Sequence, residues 1–379
     1  MAAIDKLFEF IPQVHFVEKK NEIYNLRENK IGHIKLALVR ETTNPLIIRS
    51  TDSEATITMI SVDGRELVEI PPRKLKSREK ILGLMICREF GCLGKLDEKG
   101  NRIDGESVRY NSFEGAEYLN NPNSIVFGDT STKAGDTAGL VSRAIYDWAY
   151  SLRDVKDITD KLQHNALSEA GTMIDEKTGE MRQSLYSTEY VLPNTFFPHF
   201  ITVDNISPEL FVHLLSCVLN QHRYGAQTTT NANNMTNHLV AIGLAPFEKP
   251  ITSYTVSRSW NDNENKIEPP TTKSVKTLVI SQMESVYGAD KIIKDKNNDN
   301  KIEGLLNWVK ELWDEKDKPQ LKEIYAQAAK DCDAYLKAIK IITEGGSEKS
   351  KRGKKGKSEE KKEQTEIVEV SDESIPDIG

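Results

Sequence analysis

Two short stretches carry residues whose types and spacing suit a phosphate chain. The first is Pro71 to Lys80 (PPRKLKSREK), which places Arg73, Lys74, Lys76, Arg78 and Lys80 just before or inside the first turn of a helix predicted over Ser77 to Phe90. Unpaired amides and the helix dipole add there to side-chain charge, so an anion is readily held. The plain alternative is a solvated helix start. The second is RYGAQTT: Arg223, Tyr224, Gly225, Ala226, Gln227, Thr228 and Thr229. It sets a cation, a ring, a permissive glycine and short polar groups directly after a helix, a mixture that can hold a phosphate and stack or hydrogen-bond a base. Its alternative is a helix end, with Gly225 as the stop and Tyr224 packed beneath. Lys35, Arg40, Arg49 and Arg143 fall in segments read as strands, and an RNA-binding sheet exposes such cations on one face.

Other constellations lead nowhere. Asp295, Asn297 and Asp299 match the first ligands of a calcium loop, but Asn300 replaces the required glycine and Leu306 the bidentate acid. His213, Cys217 and His222 have metal-like spacing on one helix without a fourth ligand. Gly128-Asp129-Thr130-Ser131 lacks the Lys-Ser/Thr of a nucleotide-binding loop. No metal and no cofactor is therefore expected.

The elements that must position the two stretches begin with strands. Gly32 to Arg40, Pro45 to Ser50 and Ala55 to Val62 have short aliphatic runs; Asp63-Gly64 is a hairpin dipeptide, with Arg65 to Ile70 as return strand. The helix Ser77 to Phe90 stops at Gly91. Residues 91 to 123 read as an irregular insertion, followed by a strand pair at Ile125 to Phe127 and Leu140 to Leu152, and a second irregular stretch, Asp154 to Pro198. Phe200 to Val203 resumes a strand. Ser207-Pro208-Glu209 starts a helix that should reach about His222, because Ser caps, Pro suits the first turn and Glu meets the dipole. A strand at His238 to Leu244 precedes a helical third, where Asp317 should cap a helix burying Leu321, Ile324, Ala328, Tyr335 and Ile339. The order strand, helix, strand, strand, helix, strand suggests an α+β, RRM-like (ferredoxin-like) core with large insertions. We divide the chain into a palm over 1–260, a helical region over 261–344 and a tail over 345–379.

Composition bounds the rest. The chain of 379 residues is 38% hydrophobic, enough for a large core, and its formal net charge of -7 gives no general sign of a nucleic-acid binder. A local cationic stripe is compatible with an acidic whole. Absence of an apolar span and of a secretory pattern predicts a cytoplasmic protein with no membrane partner. Cys87, Cys92, Cys217 and Cys332 are scattered, which predicts buried free thiols. From Gly345 the chain has almost nothing apolar to bury; it is basic from Lys349 to Lys357, then acidic, and predicts a disordered tail that solubilises or loosely grips nucleic acid.

Several segments together resemble one family, the Cas-seven-type (Csc family) backbone subunit of type I-D CRISPR Cascade complexes. They are LALVRETTNPLIIRST with Arg40-Glu41-Thr42 and Arg49, AIYDWAYSLRD at Ala144 to Asp154, EYVLPNTFFPHFITV at Glu189 to Val203, and above all RYGAQTT, so that the likeness covers Gly32 to Ser257. The resemblance implies an RRM-like palm, with insertions acting as a thumb or lid over RNA, in a subunit that polymerises along crRNA. It implies target DNA, further copies of the chain and large and small subunits as partners, with sequence read by base pairing. Asp154 to Pro198 would be the thumb and Met173 part of a wedge that displaces a guide base. Many relatives carry a cysteine-rich zinc insertion after the first helix; here only Cys87 and Cys92 stand there, so zinc is not expected. The enzymatic alternative is a guide-directed endonuclease using a loop aspartate, for which Asp129, Asp136, Asp160 and Asp175 are candidates; the remaining alternative is a single-strand RNA binder that does not polymerise.

Overall fold

The computed structural model describes residues 3–49, 57–110, 115–133, 136–164, 167–168, 171–172, 186–226, 231–296 and 299–341. His33–Thr42 is the middle of a five-stranded antiparallel sheet, in the order Ala144–Tyr146, Phe196–Asp204, His33–Thr42, Met235–Ala245 and Ile292–Ile293. Successive strand residues point to opposite faces. Here both faces are covered: Ile34, Leu36 and Leu38 join a core with helices Pro72–Glu89 and Pro208–Asn220, while Ala37 and Val39 join another with Val256, Trp260, Val275, Val279 and Met283 of helices Ser253–Asn261 and Thr272–Tyr287. Burial is consequently unbroken from Ile34 to Arg40. Such a strand reads as a continuous apolar run instead of alternating.

The helical region expected after residue 260 is helical but divides across the sheet. Thr272–Tyr287 takes the second face, whereas Lys301–Asp314 and Pro319–Ala338 bury Leu305, Trp308, Leu312, Leu321, Ile324 and Tyr325 in the first core, beside Leu7 and Ile11. Among the described residues no helix is long and apolar enough to cross a membrane. All four cysteines are free and buried.

Local chemistry explains which expected elements form. Asp63 and Gly64 both take positive φ (50° and 73°), and the turn pairs Val62 with Arg65 in the hairpin Met59–Val62/Arg65–Ile70. Ser207 Oγ accepts from Leu210 N at 3.4 Å and starts Pro208–Asn220. The helix predicted from Ser77 begins earlier, at Pro72, because a proline fits the first helical position. Ile125 to Phe127 is helical, not a strand: Asn121 Oδ1 accepts from Ser124 N at 2.8 Å and Pro122 leads the helix Pro122–Phe127. A buried apolar triplet carries no period to separate the two states.

Four further expectations are corrected. Leu140 to Leu152 splits into Ala144–Tyr146 and Ala149–Asp154, the latter pairing with Arg65–Ile70 in a separate three-stranded sheet. Over Pro45 to Arg49 only Leu46 makes a strand-like bridge, to Val191. Within the stretch read as irregular, Thr159–His164 pairs with Tyr186–Val191 as a two-stranded ribbon, and the next strand already starts at Phe196. Pro319–Ala338 begins after Lys318 without any side-chain cap, so Asp317 does not cap it.

Candidate nucleic-acid interface

The helix Pro72–Glu89 presents two faces with opposite roles. Outward, Arg73, Lys74, Lys76, Ser77 and Lys80 line a cleft of about 630 Å³ together with Tyr110 and Phe127. Lys80 is already neutralised: its Nζ lies 2.6 Å from Asp129 Oδ1 and donates to the Gly128 carbonyl at 2.8 Å, with the Tyr110 ring centroid 5.4 Å away. Lys76 is half-buried and donates to Ser142 Oγ (2.6 Å) and the Ala144 carbonyl (3.2 Å). Burial, then the nearby Lys80 ammonium, pushes Lys76 down to about 8 against the pull of Asp129. Burial in turn raises Asp129 against the pull of Lys80. Arg73, Lys74 and Lys76 thus supply positive charge at the amide-rich start of a helix, beside the half-buried Tyr110 ring and over the buried Phe127, an arrangement able to hold a phosphate.

Inward, Glu79 is fully buried 2.7 Å from Arg40 Nη1. Tyr224 OH donates to Glu79 Oε1 at 2.7 Å, Tyr146 OH donates to Glu79 Oε2, and Arg40 Nη1 reaches Asn237 Oδ1 at 2.9 Å. The sheet-face expectation is overturned here. Arg40 points into the first core, and Lys35, on the opposite face, is buried and 2.9 Å from Glu248 Oε1. Both are buried and helices close both faces, so among the described residues this five-stranded sheet presents no cationic face to RNA. Tyr224 is likewise a core ring and does not stack on a base from outside.

The RYGA part of the loop nevertheless belongs beside the cleft. Arg78 Nη2 donates to the Gly225 carbonyl at 2.9 Å, and Lys74, four residues earlier on the same side of the helix, lines the cleft. Ala226 N donates to the Ile47 carbonyl at 2.9 Å, while Leu46 and Val191 exchange backbone bonds at 3.0 and 2.8 Å. The helix start, the loop and the base of the Thr159–His164/Tyr186–Val191 ribbon are therefore stitched together. Gly225 makes this possible: its φ is +73°, and a Cβ there would lie 2.2 Å from the Ile47 carbonyl oxygen. The helix itself ends at Asn220, so Gly225 is not its stop.

Of the remaining sequence candidates, Arg223 and Arg49 are exposed. Arg143 donates to the Leu26 carbonyl at 3.0 Å and stands 5.2 Å from the Tyr335 ring centroid, a tie to the last helix. Met173, Gln227, Thr228 and Thr229 lie outside the described residues, as do Asp175 and the tail. Sequence reasoning missed Tyr110, inside the stretch read as irregular, and Phe127, inside the triplet read as a strand. It also missed Glu79, whose only sequence signal is an acid set between Arg78 and Lys80 in a basic run.

The decoys resolve into packing. Asp295 Oδ1 accepts from Ile302 N (2.8 Å) and Glu303 N (3.1 Å), capping a helix. His213 Nδ1 and Tyr325 OH are 2.9 Å apart, with burial holding the imidazole at about 3 and so neutral. Among the described residues no group of three or more acids, histidines or cysteines is placed to hold a metal ion. Asp160 sits on the ribbon with Tyr190 OH at 3.4 Å, and Asp136 opens the second strand of the hairpin Asp129–Lys133/Asp136–Leu140.

The described residues thus form an α+β sheet covered on both faces, with a cation-lined cleft at the start of one covering helix. The chain belongs to the Csc2 CRISPR family, whose family model matches residues 20–325, beyond the Gly32 to Ser257 span of the sequence likeness. No curated protein matches it. Its fold is similar to that of the crystal structure of Thermofilum pendens Csc2: TM-score 0.53 at 14% identity, over 86% of this chain and 95% of that one. Two solved chains titled as a CRISPR RNA-guided surveillance complex, one of them pre-nicking, align at TM-scores of 0.42 and 0.43 with 9% and 11% identity. They cover 70% and 71% of this chain and 91% and 94% of theirs, a likeness too slight to argue from.

Proposed function

We propose that this chain is the guide-RNA-binding backbone subunit of a type I-D CRISPR surveillance complex, polymerising along crRNA in the cytoplasm and presenting the guide to target DNA. Membership of the Csc2 family supports the setting. The observation that carries RNA binding is the cleft of Arg73, Lys74, Lys76, Tyr110 and Phe127, joined through Arg78 to the Gly225 loop. The strand order supports an RRM-like palm: the helices Pro72–Glu89 and Pro208–Asn220 follow the first and third core strands, and the fourth core strand lies beside the first. The ribbon rooted at Val191 is the thumb of this reading, and copies of the chain with large and small subunits are its partners. The subunit is non-catalytic, a role with which Asp129 agrees because it is engaged by Lys80 and Ser124.

The test is purification of the chain with Lys74→Glu and Lys76→Ala introduced together. Wild-type protein should carry RNA of defined length along several copies, and the variant should fold normally yet arrive without it. A variant that retains the same RNA would refute the assignment. Each phosphate contact removed should also lower the salt slope by about 0.7 for a single strand.

A further inference from the structure

We infer that Lys76 is an acylation site: its side-chain amine attacks acyl phosphates that settle in the cleft lined by Arg73, Lys74, Ser77 and Lys80. The inference goes beyond the proposed RNA role and does not require it.

The partners of the amine come first. Lys76 Nζ donates to Ser142 Oγ at 2.6 Å and to the Ala144 carbonyl at 3.2 Å. Ser142 Oγ lies 2.6 Å from the Ala144 carbonyl and 3.1 Å from the Val126 carbonyl, so its own proton is taken and toward Lys76 it accepts. Two neutral acceptors match the two N–H groups of a free amine and leave its lone pair for the cleft.

The charges around it favour that free form. Arg73 and Lys80 stand on the same helix, and the hairpin Asp129–Lys133/Asp136–Leu140 brings Asp129, bound to Lys80 Nζ at 2.6 Å. The Tyr146 ring centroid is 5.7 Å from Lys76 Nζ, and Tyr110 lines the cleft. Burial, then Lys80, pushes Lys76 down to about 8 against the pull of Asp129. At pH 8 about half of this amine is free, against less than about 1% for an ordinary lysine. Lys80, engaged by Asp129 and the Gly128 carbonyl, is not the nucleophile.

The cleft also selects the donor. An acyl phosphate carries its anionic group next to the reactive carbonyl, and Arg73, Lys74 and Ser77 offer donors to that group within about 630 Å³. Held there, the carbonyl carbon meets Nζ at high effective concentration. The Nζ lone pair forms a bond to that carbon while the C–O bond to phosphate breaks. Phosphate leaves with the electron pair and takes up the proton shed by nitrogen, so the products are an acyl-lysine and inorganic phosphate. The amide is uncharged, and the cleft has one positive charge fewer.

The test treats the full chain, stripped of nucleic acid, with acetyl phosphate at pH 8 and follows each lysine by peptide mass spectrometry. Lys76 should be acetylated about tenfold faster than Lys20 and Lys161, although their side chains are 61% and 71% exposed. Its rate should saturate with acetyl phosphate, and inorganic phosphate at matched ionic strength should slow it severalfold without touching the other two. A rate at Lys76 no higher than theirs would overturn the inference. So would a rate that rises linearly and ignores inorganic phosphate, since the cleft would then not place the donor. Single-stranded RNA separates this from the proposed function: acetylation of Lys76 blocked by inorganic phosphate but not by saturating RNA would uphold the acylation site and refute the cleft as the RNA site.

Discussion

Arg40 packs against the helix Pro72–Glu89 that carries Lys76, and the two cations differ in nearly everything else. Arg40 reaches Glu79 on the inward side and is sealed from water with its acid and two tyrosines. Lys76 stands on the outward side, half-buried, and donates to two neutral oxygens, the Ser142 hydroxyl and the Ala144 carbonyl. An arginine compensated by a carboxylate has little left to offer an incoming phosphate, whereas an ammonium held by a hydroxyl and a carbonyl keeps its charge for a ligand. Sequence position says nothing of this difference; the partner decides it.

Four experiments bear on the contrast, taken from the largest effect down. Arg40→Ala or Glu79→Ala strands a buried charge and should cost roughly 3–5 kcal/mol in chemical denaturation, while Arg40→Met with Glu79→Leu should cost much less. Equal losses for single and double variants would dissolve the idea of an internal pair. Gly225→Ala forces a left-handed backbone on alanine and drives its Cβ toward Ile47, so we expect a loss of at least about 1–2 kcal/mol. If its stability is unchanged, the loop is not pinned as described.

Lys74→Ala should leave stability within about 0.5 kcal/mol, as surface changes do, and Lys76→Ala should cost about 1 kcal/mol for its hydrogen bonds to Ser142 and Ala144, yet each should weaken RNA binding several-fold and flatten its salt dependence. Loss of affinity with an intact salt slope would point to packing in place of phosphate contact. The smallest effect is in pH. Free Lys76 titrates near 8, and a neighbouring phosphate favours its ammonium, raising that value in the complex. Binding therefore takes up a proton, and affinity should fall as pH rises from about 7 to about 9. Lys76→Arg, which stays charged, should show a flatter profile; identical profiles would remove Lys76 from the interface.

Legibility in the sequence followed the range of the interaction involved. Asp63-Gly64 and Ser207-Pro208-Glu209 were readable because a turn or a cap is decided within four residues. The helix-start cluster was readable as well, though its beginning at Pro72 was placed five residues late. Lys35 and Arg40 misled because their partners, Glu248 and Glu79, come from distant parts of the chain. Nothing in the local pattern signals that a second helical layer closes the sheet. Tyr110 and Phe127 were lost for the same reason: a cleft wall contributed by separate segments has no period to detect.

The doubly covered strand has one more consequence. Along Ile34 to Arg40 neither parity of residue faces water, so no position there can drift independently. Arg40 and Glu79 are both sealed there, so that couple should be epistatic, harmful to replace singly and tolerable to replace together, whereas Lys35 leans on Glu248, whose carboxylate is half in water and can lose its partner at less cost.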